Sequence, residues 1–157
     1  MSAFASNERY LAFSLGTEEY AIPLLSVREV IAVPEITPVP QSPTYFLGIM
    51  NLRGQVISVI DLRTKFGIKP NTTEETSVII LDMGDHSLGA VVDSVNSVLS
   101  PKTEELSEPP DLEGNKNAAA ITKVFRREKN LVLILDVLKT LSKEDKAVLS
   151  RSSARAA

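Results

Sequence analysis

The chain has no cysteine and no tryptophan, one histidine, and aromatic residues at only 5% of its 157 positions. Without cysteine there is no disulfide, no thiolate nucleophile and no cysteine-ligated metal. The one histidine, His86, lies in the polar stretch Gly84-Asp85-His86-Ser87. No G-x-S-x-G elbow accompanies it, so it reads as an exposed turn residue and not as a catalytic base. No G-x-x-x-x-G-K-[ST] loop occurs, and no G-x-G-x-x-G follows a strand, so the phosphate-cradling motifs are missing too. Glu104, Glu105, Glu108, Asp111 and Glu113 are close in sequence. Their spacing is not that of a calcium loop, and Pro109-Pro110 interrupts them, so they read as a solvated loop.

No apolar run approaches the roughly 20 residues of a membrane helix. The start, MSAFASNERYLAF, lacks a basic segment followed by an apolar one, so no signal peptide is expected. The net charge of −3 gives no general attraction to nucleic acid or anionic lipid. Sparse aromatics, not interleaved with lysine and arginine, also argue against an oligonucleotide-binding face. These absences leave no enzyme, no metal and no cofactor to propose. They point to a soluble cytoplasmic binding module that enters no membrane.

What is present is a core and many strands. Apolar residues make up 43% of the chain, and its length suits one domain or two small ones sharing a core. Tyr10–Leu15 and Glu18–Leu24 flank Gly16-Thr17 as a hairpin. Leu24, Val27 and Ile31 then recur at helical spacing, with Arg28 and Glu29 off that face, which predicts a short amphipathic helix ending before Pro34. Four prolines at 34, 38, 40 and 43 predict an extended connector. Further hairpins are expected around Gly84–Ser87 and around the Arg127–Asn130 turn. Ser142, with Asp145 three residues on, resembles the start of a C-terminal helix.

The order of elements occurs twice. Leu15–Val30 laid over Met83–Val98 superposes Gly16 on Gly84, Ser26-Val27 on Ser94-Val95 and Val30 on Val98. Gly54–Phe66 laid over a later segment puts Asp61 on Asp136. The repeats run about 9–75 and 76–142, with 143–157 as a C-terminal helix and tail. This pattern predicts two small β-barrels arising by duplication. A barrel of that size alone is marginal, so the halves are expected to share an apolar interface.

The stretch Gly48–Gly67, GIMNLRGQVISVIDLRTKFG, concentrates the local signals. It reads as a strand, a tight turn, a longer strand and a short helix. Asp61 suits the N-cap of that helix and Gly67 the residue after its end. Arg53 stands at the turn. A turn takes a polar residue before glycine for backbone reasons alone, but an arginine also offers a planar fork of five donors that suits an interface anchor.

At FLGIMNLRGQVISVIDLRTKFG the sequence resembles the CheW family of bacterial chemotaxis coupling proteins. The resemblance runs through Gly48, Asn51, Leu52, Arg53, Gly54, Asp61, Leu62, Arg63, Lys65 and Phe66. It extends to the opening FSLGTEEYAIPLLSVREV and to Gly89, Val91, Val92, Asp93, Val95, Val98 and Leu99, covering about residues 9–142. It implies a mainly β fold of two interlocked five-stranded β-barrels, SH3/OB-like, with short helices, in a single domain.

The resemblance also implies a non-enzymatic adaptor. Such a protein couples methyl-accepting chemoreceptors to the regulatory domain of a CheA-type histidine kinase and is recruited to membrane-associated receptor arrays. A coupling protein of the same fold in a non-flagellar array, such as one for surface motility, is the alternative. It implies receptor or kinase contact at Val27, Glu29 and Arg53, with Leu25, Ile31 and Leu99 lining an apolar groove between the barrels.

Overall fold

A computed structural model of the chain describes residues 8–84, 86–109, 121–127 and 130–136. The segment expected as a C-terminal helix lies outside them. Eleven strands are described. They are β1 (Tyr10–Leu15), β2 (Glu18–Pro23), β3 (Val27–Ala32), β4 (Phe46–Leu52), β5 (Gln55–Asp61), β6 (Ser77–Asp82), β7 (Ser87–Val92), β8 (Ser94–Leu99), β9 (Leu106–Ser107), β10 (Ile121–Arg127) and β11 (Asn130–Leu135). One α-helical turn, α1 (Leu62–Lys65), follows β5.

The strands form two sheets, one ordered β8-β1-β2-β11-β10-β9 and the other β3-β6-β7-β5-β4. The five-stranded sheet is built from the middle of the chain, β3 to β7, and the six-stranded sheet from the strands before and after it. The first hairpin, β1–β2, sits among β8, β11 and β10, while the hairpin β6–β7 sits among β3, β5 and β4. The pairings correspond one to one. β3 runs antiparallel to β6 as β8 does to β1, and β5 runs parallel to β7 as β11 does to β2. The six-stranded sheet exceeds the expected five because the two-residue β9 adds to the edge of β10. In the other sheet Thr37 does the same for β4, exchanging two backbone hydrogen bonds of 2.8 and 2.9 Å with Ile49.

The helix expected over Leu24–Ile31 is corrected. Leu24–Ser26 makes a single 3-10 turn, and β3 begins at Val27. Along β3 the burial alternates strictly, with Val27, Glu29 and Ile31 half-buried and Arg28, Val30 and Ala32 exposed. Leu24, Val27 and Ile31 satisfy a helical spacing, but Val27, Val30 and Ile31 are β-branched and favour a pleated surface against β6.

Alternation also explains why β1 is buried on both faces. Leu11, Phe13 and Leu15 join Ile22 and Leu135 of their own sheet to Ile60, Ile79, Leu81, Leu88 and Val92 of the other, making one seam. Tyr10 and Ala12 point away from it, into a second cluster with Phe125, Val132 and Ile134. A third cluster, with Met50, Ile57, Val59, Val78 and Ile80, belongs to the five-stranded sheet. Phe13, Phe46 and Phe125 are core residues, while Phe66 is half-buried and stacks on Tyr20 at 5.7 Å. Each large aliphatic side chain buried in this way contributes on the order of 2 kcal/mol.

Gly48 marks the closest backbone approach. Its φ is +141°, and a Cβ there would land on the carbonyl oxygen of Thr37, the residue that bridges to β4. Gly54 also has positive φ, but a Cβ there meets nothing. Gly48→Ala is expected to lower stability by about 3 kcal/mol or more, through loss of the Thr37 bridge. Gly54→Ala should cost only about 1 kcal/mol, from backbone conformation alone. Urea unfolding midpoints of the two variants check the difference, and equal midpoints would refute it.

Candidate functional site

The turn between β4 and β5 has two central residues, Arg53 at φ 51° and Gly54 at φ 86°. Two positive φ values match the twist of flanking strands, as in a type I′ hairpin. Asn51 holds the turn, its Oδ1 accepting the Gly54 amide at 2.9 Å. The arginine is thereby lifted clear of the sheet, its side chain 71% exposed. It does not float free. Its guanidinium forms a two-pronged ion pair with Glu29, with Nη1 to Oε2 at 3.4 Å and Nη2 donating to Oε1. The hydrogen bond to Glu29, and then its charge, hold the Arg53 guanidinium above its ordinary pKa.

Glu29 lies on β3 and Arg53 follows β4, and these are the two opposite edges of the five-stranded sheet. The long side chain of Arg53 spans from the one edge to Glu29 on the other. Two of the expected site residues, distant in sequence, are thus brought together. Arg28 on β3 reaches Asp82 at the end of the neighbouring β6, 3.4 Å away. Asp82 also accepts the Gly84 amide at 2.9 Å, and these two contacts, the amide first, hold its carboxyl below the usual range.

The apolar candidates divide. Leu25, in the 3-10 turn, is 96% exposed. Val27 is half-buried against the seam and Ile31 against the five-stranded sheet's own core. Leu99 is on the other sheet, 8% exposed, packed with Tyr10 and Phe125. It is a core side chain and offers no open apolar surface, because it closes the register of β8 against Tyr10.

The structure holds a cavity of about 380 Å³ lined from β1, β2, β6, β10 and β11, and neither Val27 nor Leu99 reaches it. Tyr10, Leu99's partner across β1, and Leu81, Val27's partner across β6, both line it. So do Ser26, Asp82, Lys123 and Asp136.

The sequence motifs carried a second arrangement that a reading by spacing did not find. Arg63 of α1 is 3% exposed. Its Nε and Nη2 donate to the two oxygens of Asp61 at 3.0 Å each, and its Nη1 donates to Asp93 at 3.0 Å. Asp61 also accepts the Arg63 amide at 2.9 Å, the expected N-cap bond. Asp93 accepts the Gly16 amide at 2.6 Å. Burial works against the charged guanidinium, but the hydrogen bonds and charges of Asp61 and Asp93 outweigh it and raise its pKa. The signal was the pair of motifs D-L-R and V-V-D, whose charged residues stand beside apolar strands.

A model of the CheW-like domain matches residues 9–145. The chain belongs to the CheW-like family. It is 33% identical over 143 residues to the chemotaxis protein CheW of Klebsiella aerogenes, spanning 90% of this chain and 86% of that one. To the chemotaxis protein CheW of Bacillus subtilis it is 31% identical over 140 residues, 88% and 90% of the two chains. A crystal structure of the scaffolding protein TtCheW from Thermoanaerobacter tengcongensis superposes with a TM-score of 0.75 at 28% identity, covering 83% of this chain and 89% of that one. The CheW-like segments therefore include both Arg53 and the Asp61–Arg63–Asp93 network. Among the described residues no helix is long and apolar enough to cross a membrane.

Two outcomes test this chemistry. Arg63→Leu leaves two carboxylates unpaired at the seam and is expected to cost about 3–5 kcal/mol, read from urea unfolding. A cost below about 1 kcal/mol would refute the role given to the network. Burial, then the hydrogen bond and charge of Glu8, push the Tyr10 phenol from 10.0 up to about 12. The neutral phenol is the form the fold favours, so this stabilisation is complete below pH 10 and is lost as pH rises toward 12. Tyrosinate absorbance during alkaline titration should show one phenol, absent in Tyr10→Phe, ionising last and with unfolding.

Proposed function

We propose that this protein is a non-enzymatic adaptor that couples chemoreceptors to a CheA-type histidine kinase in a chemotaxis array. The family match over residues 9–145 carries the reading, and the names of the relatives, chemotaxis protein and scaffolding protein, fit it. The chain is one domain of two interwoven repeats that works in the cytoplasm and reaches the membrane only through its receptors.

In this reading Arg53, Glu29 and Val27 form the contact surface, with Leu25 beside them as an exposed apolar anchor. The supporting observation is that Arg53 and Glu29 meet from the two edges of one sheet, exposed and preorganised. Arginine at such a position gives a planar fork and an apolar stem, which is the composition of an interface anchor. Ile31 backs this surface from within the sheet, and Leu99 supports the far wall of the seam cavity from the core. A receptor tip occupies the open end of the seam, and the kinase regulatory domain packs against a sheet. Signal passes by a shift in the population of these contacts and not by chemistry. Individually moderate contacts gain strength by multivalency in an array.

Calorimetric titration of the chain with the regulatory domain of a CheA-type kinase from the same organism tests the proposal. Saturable binding in the micromolar range is expected, and no binding by well-folded protein would overturn it. Arg53→Ala is expected to weaken binding of the kinase domain or of a receptor-tip fragment by about tenfold. Its melting temperature should stay within about 2 °C of the parent, since an exposed ion pair contributes little to stability. A lowered melting temperature with unchanged binding would count against the assignment.

A further inference from the structure

β3 and β4 are the outer strands of the five-stranded sheet, and their free edges are finished differently. β3 carries Arg28 and Glu29, charges of the kind that keep an edge strand from pairing with another chain. β4 runs seven residues, FLGIMNL, with no charge and no proline. A segment of that composition is an aggregation hazard wherever its edge is open.

The chain covers this edge with the segment 33–43, which leaves β3 and returns along β4. Thr37 exchanges two backbone hydrogen bonds with Ile49, and its carbonyl fits there because residue 48 is glycine. Ile36 packs on the core of the five-stranded sheet and Val39 on the seam. Among the described residues the pairing with β4 is one bridge long. Toward Asn51 the segment stands away from the strand, over a recess of about 440 Å³ lined by Pro34, Glu35, Ile49 and Asn51.

The placing of the prolines fits a cover. Val33 and Thr37 each precede a proline, which holds them extended. In an extended chain the amides of alternate residues point to the same side. Thr37 points its amide at β4, so positions 34, 36 and 38 face away. Pro34 and Pro38 have no N–H to offer there. The segment therefore pairs inward and presents little to pair with outward.

We propose that the 33–43 segment is an edge guard, which keeps β4 from pairing with β4 of a second copy of this chain. The occupant it excludes follows from the uncharged, proline-free edge. Two copies of one edge strand meet antiparallel about a two-fold axis, so the same groups serve on both sides and no separate surface is needed. With the guard lifted, the backbone groups of Ile49, and those of Asn51 that point the same way, become the template. The proposal does not rest on the adaptor reading.

Thr37→Pro tests it by removing the amide that donates to the Ile49 carbonyl. Hydrogen exchange followed by nuclear magnetic resonance should show the Ile49 amide exchanging at least about tenfold faster, with the seam still folded. Sedimentation velocity should then show a folded dimer at concentrations at which the parent chain is a monomer. Ile49→Lys on the same background puts a charge on the uncovered edge and should restore the monomer. If Thr37→Pro does not fold, Ile36→Asp, which unseats the segment from its apolar side, is read in the same way. A freed Ile49 amide without association overturns the proposal, as does association that Ile49→Lys leaves unchanged. A parent chain that associates as strongly as the variant overturns it too. So does an Ile49 amide that stays protected in both variants, because the bridge is then not what covers the edge.

Discussion

The structure depends on one buried arginine. Arg63 is held by Asp61 from its own connection and by Asp93 from the point where the chain leaves β7 and enters β8 in the opposite sheet. Asp93 in turn fixes the amide of Gly16, in the turn of the hairpin β1–β2. Three segments remote in sequence are tied at one point on the seam. Removing the charges from water is costly, and the attraction offsets that cost because all three guanidinium nitrogens donate to carboxylate oxygens. Such a site accepts one arrangement of strands and penalises others, so it specifies the crossover as much as it stabilises it.

The crossover has an energetic logic. Each sheet borrows a hairpin from the other half of the chain, so neither half has a complete hydrophobic core of its own. The seam residues Leu11, Phe13 and Leu15 are useful only once Ile79, Leu81 and Leu88 are in place. Most of the apolar burial is therefore shared, which suits a chain whose halves are too small to stand alone. The repeated topology then leaves two equivalent seam ends free to diverge. One became a structural joint through Arg63, and the other borders a cavity.

The Arg53–Glu29 pair is a different kind of interaction. It is exposed, it joins two sheet edges, and its contribution to stability is small. The N-L-R-G turn was legible as a turn because asparagine and glycine adopt the backbone it needs, and as a candidate site only through the resemblance. Glu29 as its partner was not legible from spacing. The expected helix would have placed residue 29 by a rotation of 100° per residue, whereas β3 points it to the same face as Val27 and Ile31.

By itself the sequence determined the local elements. The hairpins of β1–β2, β6–β7 and β10–β11, the cap at Asp61, the stop at Gly67 and the tight turn at Arg53 each follow from neighbouring residues and their backbone preferences. The repeat was legible for the same reason, since each half encodes the same run of local choices. Only the tertiary structure decided that β3 is a strand, because pairing with β6 overrode a spacing that fitted a helix. It also decided which hairpin joins which sheet, that Leu99 is core, and that Arg63 is buried between two carboxylates. These outcomes depend on contacts between residues tens of positions apart, and no local pattern carries the energy of a contact whose partner lies in another part of the chain.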